Sequence, residues 1–111
     1  EAARLYRLAA EQGLALGQYS YGMCCRTGHG VIQDDGVAVY WFRLASDQGY
    51  AGAQTCLGES YGTGRGAPLD YSAAARWFRL AAEQGHARAQ LCLARCHASG
   101  TGVTRDDSEA A

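Results

Sequence analysis

Cys92, Cys96 and His97 place two thiols and an imidazole within six residues, and i, i+4 spacing on a helix sets both sulfurs on one face. That is half of a zinc site. A closed site takes about four ligands, and the sequence offers no second pair at ligand spacing. Cys24, Cys25 and Cys56 bring the cysteines to five, an odd number. A Cys56–Cys92 disulfide would need Cα atoms within about 7 Å, closer than the roughly 8–10 Å between packed helices. Free, packed thiols are therefore expected. The stretch GTGRGAPLD at 62–70 resembles a nucleotide loop, but a dinucleotide-binding glycine loop follows a strand. Here the same G-x-G recurs at Gly28/Gly30 and Gly100/Gly102, which marks a repeated turn. His29, His86 and His97 are scattered, and no Ser or Cys stands where His86 and Glu83 would make it a nucleophile.

Composition removes further chemistry. All ten basic residues are arginines, so no Walker-type phosphate loop, Ser-x-x-Lys pair or Schiff-base lysine is possible. Net charge is −1 and the isoelectric point is about 6.3, giving no electrostatic pull toward nucleic acid or an anionic membrane. No apolar run approaches the roughly 20 residues that span a bilayer. The expectation is a chain with no catalytic residues, no cofactor and no bound metal, neither nucleic-acid-binding nor membrane-inserted.

The positioning elements follow from a repeat. YRLAAEQG at 6–13 returns as FRLASDQG at 42–49 and FRLAAEQG at 78–85, each 36 residues on. Setting 1–36, 37–72 and 73–108 in register leaves eleven columns identical, with 109–111 starting another copy. A fixed period of about 20–50 residues signals a stacked repeat array. Each period holds two helical patterns. Helix B runs from Asp34 to about Gln48, with Ala38, Trp41, Phe42 and Ala45 on one face. Asp34, Asp70 and Asp106 are placed to cap its first turn, and Gly13, Gly49 and Gly85 to end it. Helix A runs over 51–62 in its clearest copy, with Gln54, Leu57, Gly58 and Tyr61 on one face. Gly58 inside a helix costs about 1 kcal/mol against alanine, so another helix is expected to approach it closely. Arg7, Arg43 and Arg79 each precede an acid by four residues, as on a solvated outer face. No segment alternates with period two, so the fold class is all-α: an α/α superhelical solenoid of 36-residue helix-turn-helix repeats. Residues 1–12 and 107–111, lacking a neighbour, are expected to fray. Both ends fall inside a repeat, which suggests one array that is part of a longer protein.

The middle copy, with Ala51, Ala53, Gln54, Leu57, Gly58, Tyr61, Gly64, Gly66, Asp70, Ala74, Trp77, Phe78, Ala81, Ala82 and Gly85, resembles the Sel-1-like repeat, a relative of the tetratricopeptide repeat. The resemblance covers the whole chain. Departures are Cys25 and His97 for the motif tyrosine, Ala94 for the motif glycine and Ala67 for the loop valine. The resemblance implies an adaptor that holds a protein partner in a concave groove lined by the A helices. A cysteine-rich branch of the family includes proteins described as penicillin-binding or β-lactamase-like, and it pairs a cysteine on helix A with one on helix B. Here all five cysteines fall on A helices, which disfavours that branch.

On a helical wheel the varying A-helix positions lie opposite the invariant ones. They read Leu16, Tyr19, Ser20 and Met23; Gly52, Thr55, Cys56 and Glu59; Arg88, Leu91, Cys92 and Arg95. The expected groove is apolar at Leu16, Tyr19 and Met23, passes Thr55 and Glu59, and is doubly cationic at Arg88 and Arg95 beside Leu91. Its expected partner is a protein or peptide bearing acidic groups. A spacer role within a longer solenoid, and a metal-binding or β-lactamase-like role, are the alternatives. Truncating Trp41, Phe42, Trp77 or Phe78 to alanine is expected to cost about 3–5 kcal/mol, measurable as a lowered midpoint in urea unfolding.

Overall fold

In the computed structural model, which describes residues 1–100, six helices follow one another: α1 (Ala2–Glu11), α2 (Ala15–Thr27), α3 (Asp35–Ser46), α4 (Ala51–Thr63), α5 (Tyr71–Glu83) and α6 (Ala87–Ser99). Helices α1, α3 and α5 are the B helices of the sequence pattern; α2, α4 and α6 are the A helices. No strand occurs among the described residues. The array measures 47 × 24 × 17 Å, the elongated shape expected when each helix pair packs only on its neighbours. The expected cap Asp106 and the expected fraying of 107–111 lie outside the described residues, while α1, within the other stretch expected to fray, is helical over Ala2–Glu11.

The caps act as their chemistry predicts. The Asp34 carboxylate accepts the Val37 N–H at 3.1 Å and that of Asp70 accepts the Ala73 N–H at 3.0 Å, each satisfying an orphan donor of the first turn. After each B helix the chain turns through a glycine at positive φ, +82° at Gly49 and +85° at Gly85. That geometry costs glycine little and lets the next helix start two residues later.

The expected close approach at Gly58 is made by an aromatic ring. A Cβ added to Gly58 would collide with the Phe78 ring, and one on Gly22 would sit 2.7 Å from Cε1 of Phe42. Both rings are buried, Phe42 completely, so α3 and α5 each plug an aromatic side chain into the glycine gap of the A helix before it. The tryptophans are less enclosed: Trp41 is half-buried, with its ring edge-on to Tyr21 at 5.7 Å and to Tyr40 at 5.1 Å. Its truncation is accordingly expected to cost less than that of Phe42. The invariant glutamines tie successive coils together. Gln48 Nε2 donates to Gln18 Oε1 at 3.0 Å and to the Gly13 carbonyl at 2.9 Å, and Gln84 Nε2 donates to Gln54 Oε1 at 2.8 Å. Of the recurring Arg–acid pairs, Arg7–Glu11 forms at 3.0 Å, while Arg43 donates instead to the Tyr61 hydroxyl at 2.6 Å. Tyr61 is the residue that Cys25 and His97 replace, so only one coil offers that hydroxyl.

Two glycines of α4 separate these effects. Gly58→Ala gains about 1 kcal/mol of helix propensity but overpacks against Phe78 at a cost of about 1–3 kcal/mol, so a net loss is expected. At Gly62 an added Cβ meets only Ala74 Cβ at an ordinary 3.6 Å. Gly62→Ala should therefore stabilise by up to about 1 kcal/mol. Urea unfolding of the two variants should move in opposite directions.

Candidate partner-binding groove

Three cavities lie along the A-helix side. The first, about 340 Å³, is lined by Tyr6, Tyr19, Ser20, Met23, Cys24, Thr27 and His29. The second, about 690 Å³, shares Thr27 with it and adds Arg26, Gln33, Glu59, Ser60, Thr63, Arg65 and Arg88. The third, about 290 Å³, shares Glu59 and Thr63 with the second and is floored by Ala74 and Phe78, with Cys92, Arg95, Cys96 and Ser99 on its far wall. Shared lining residues set the three side by side, a trough-like row across α2, α4 and α6.

An ion-pair chain lies at its centre. Glu59 on α4 accepts from Arg26 on α2 at 3.0 Å and from Arg88 on α6 at 2.5 Å, so one carboxylate bridges three consecutive A helices. Arg26 and Glu59 are about four-fifths buried at the side chain, which makes their mutual pairing obligatory. The Arg26 guanidinium also lies 5.6 Å from the Phe42 ring centroid, within cation–π range, and reaches the Met23 sulfur at 3.5 Å. Arg65 grips Asp35 through two hydrogen bonds of 3.2 and 3.1 Å at the rim.

The residues singled out from the helical wheel fall into two groups. Tyr19, Met23, Glu59, Arg88 and Arg95 line the trough. Thr55 does not: it is 2% exposed, its hydroxyl donates to the Ala51 carbonyl at 3.1 Å, and His86 Nδ1 lies 2.9 Å away. Tyr19, one period earlier, makes the same kind of contact, its ring 5.1 Å from that of Tyr50. This column faces the start of the following A helix, so the superhelix covers it. Leu91, in the same column, is 55% exposed, with no following coil among the described residues to cover it. Leu16 is 61% exposed and lines none of the three cavities. Arg88 differs from the free cation expected, because Glu59 engages it; Arg95 has no acidic partner among the described residues. Sequence reasoning missed Arg26, Thr27, Thr63 and Arg65. The column Arg26/Gly62/Ala98 is among the least alike of all, and that dissimilarity was the available signal.

The comparisons with known proteins point one way. A family model described as Sel1 repeat matches residues 1–14, 15–50, 51–86 and 87–111, its copies beginning at each A helix. The chain is similar to a protective antigen of uropathogenic Escherichia coli strains that displays an SLR fold, with 42% identity and a TM-score of 0.89 over 91% of its length. It spans only 22% of that protein. A Sel1 repeat protein from Oxalobacter formigenes is 32% identical with a TM-score of 0.82, covering 95% of this chain and 79% of the other. Among curated proteins nothing matches.

The trough thiols are not poised for reaction. All five cysteines are free, and no cluster of three or more His, Cys, Asp or Glu side chains among the described residues could hold a metal ion. Burial pushes the Cys56 thiol up to about 11, and it raises those of Cys25, Cys92 and Cys96 as well. A thiol whose pKa rises on folding contributes fully below the unfolded value near 9 and loses that contribution as pH climbs toward the folded value, because only the unfolded chain then releases the proton. Stability should therefore fall between about pH 9 and 11. Urea midpoints measured across that range should slope less steeply for Cys56→Ala than for the wild type.

Proposed function

The chain belongs to the Sel1 repeat family, and on that footing we propose that it is a non-catalytic scaffold that holds a segment of a partner protein in the trough along α2, α4 and α6. Members of the family are generally protein-interaction scaffolds. The observation that carries the reading to this surface is the row of three adjacent cavities, neighbours of which share Thr27 and then Glu59 and Thr63. A peptide in extended conformation advances about 3.3 Å per residue, so a short segment would follow the trough from Met23 to Arg95. Its apolar end offers Tyr19 and the Met23 thioether, a pairing suited to adaptable apolar contact. Beyond Glu59, already neutralised by two arginines, the surplus charge is positive, and the matching partner groups are acidic.

A second reading keeps its place because the chain spans 22% of the uropathogenic E. coli antigen: these coils would then be a spacer, with partner contacts made by other coils of a longer array. Capture from a lysate of the source organism separates the two, using the wild-type chain beside Arg88→Glu/Arg95→Glu. The scaffold reading expects a partner retained by the wild type and lost by the variant. Because Arg88→Glu sets a second carboxylate against Glu59, Arg95→Glu alone is the companion variant, at an exposed position and expected to keep the melting temperature within about 2–4 °C while losing the partner. Equal capture by both would remove this trough as the site. No specific capture by either folded protein would favour the spacer.

A further inference from the structure

Two successive grooves of this array are built from the same columns, and two charged positions set their chemistry apart. In the first, Arg26 leans over the Phe42 ring and pairs with Glu59. Thirty-six residues on, the ring is kept as Phe78, but Arg26 has become Gly62 and Glu59 has become Arg95. Part of the wall is kept, with Ala38 as Ala74, Cys56 as Cys92 and Thr27 as Thr63, while Met23, Asp35, Ser60 and Thr63 give way to Glu59, Tyr71, Cys96 and Ser99. The 290 Å³ cavity above Phe78 is thus the place of the missing arginine, with the charge of its counterpart reversed.

From this we infer that the cavity between α4 and α6 is a socket for a carboxylate-bearing side chain of a partner segment, whose carboxylate pairs with Arg95 and whose apolar neighbour lies over Phe78. The inference rests on the scaffold reading above and adds to it the chemistry of one subsite. Charge complementarity selects the occupant. Glu59 at the shared edge is held by Arg26 and Arg88, whereas the Arg95 guanidinium has no acid among the described residues. Burial raises the pKa of the socket's two thiols, so neither adds a negative charge beside Arg95, and the Glu59 carboxylate at the edge is taken up by two arginines. An arginine fork binds a carboxylate through two hydrogen bonds, and the aromatic floor takes up apolar surface. In the first groove the protein supplies the cation and fills its own site; in the second it supplies the cation from the opposite wall, and none of the described residues fills the site.

The test is a nuclear magnetic resonance titration of the labelled full chain with three probes: N-acetyl-Leu-Glu amide, N-acetyl-Leu-Gln amide and N-acetyl-Leu-Lys amide. The expected result is a set of shift changes centred on Gly62, Phe78 and Arg95, saturating with the glutamate probe at least tenfold tighter than with the other two. Gly62→Arg, which restores the first groove's arginine where an added Cβ has ordinary room, should abolish that binding with the fold intact. Arg95→Glu should move the preference to the lysine probe. Equal affinity for all three probes, shifts mapping elsewhere, or binding that survives Gly62→Arg would overturn the socket. So would shifts that depend on protein concentration without a probe, which would make the occupant a second copy. Changes at residues 101–111 on Gly62→Arg, with no probe response in the wild type, would make it the chain's own end and equally overturn the inference. These failures leave the scaffold reading to be judged by its own capture experiment, in which Gly62→Arg alone would then change nothing.

Discussion

The stacking of this protein depends on two aromatic rings, each pressed against a helix backbone that has no side chain at the point of contact. Phe42 reaches Gly22 and Phe78 reaches Gly58 at distances that no Cβ could share. The glycine weakens its own helix, by about 1 kcal/mol against alanine, but the ring it admits is buried and contributes about 1.5–3 kcal/mol by removal from water. The exchange favours the array, and it fixes how near α3 lies to α2 and α5 to α4. Everything on the A side inherits that spacing. The ring that closes the contact is also the floor on which Arg26 rests, and its repeat image is the floor of the open cavity above Phe78.

Polar groups then join coil to coil. The Gln48–Gln18 and Gln84–Gln54 bonds satisfy the buried amide oxygens of Gln18 and Gln54, where an unpaired acceptor would cost about 1–3 kcal/mol. Glu59 does a different job. With Arg26 and Arg88 it spans three A helices, so the relative placement of those helices is tied to one carboxylate. Because Arg26 and Glu59 are largely withdrawn from water, their value lies less in net stability than in setting one arrangement over others. A scaffold that presents a trough of defined width gains from that rigidity, since less order then has to be imposed when a partner binds.

The periodicity of the chain made the fold legible almost in full. The i, i+3, i+4 stripe of Ala38, Trp41, Phe42 and Ala45, the cap at Asp34 and the tight turn at Gly49 are local features, and local chemistry sufficed for them. The mid-helix glycine was legible too, because its propensity cost demands a reason elsewhere. The site was legible only in part. Met23, Glu59 and Arg95 were placed on the A-side face from the wheel alone, yet Thr55 on the same wheel is buried. A helical wheel describes one helix, whereas burial at Thr55 comes from His86 on the next coil.

What the sequence determined by itself was therefore whatever repeats: the period, the helix pairs, their caps and the glycine gaps, all set by spacings shorter than one coil. What only the tertiary structure decided was what differs between coils. Arg26, Glu59 and Arg88 are 33 and 29 residues apart along the chain, and nothing local brings them together. Superhelical stacking does. It converts three unrelated positions into one ion-pair chain, and it sets the glycine at 62 beside an arginine that has no acid partner among the described residues. Electrostatic pairing and cavity volume depend on distances across helices, and those distances exist only once the coils are stacked.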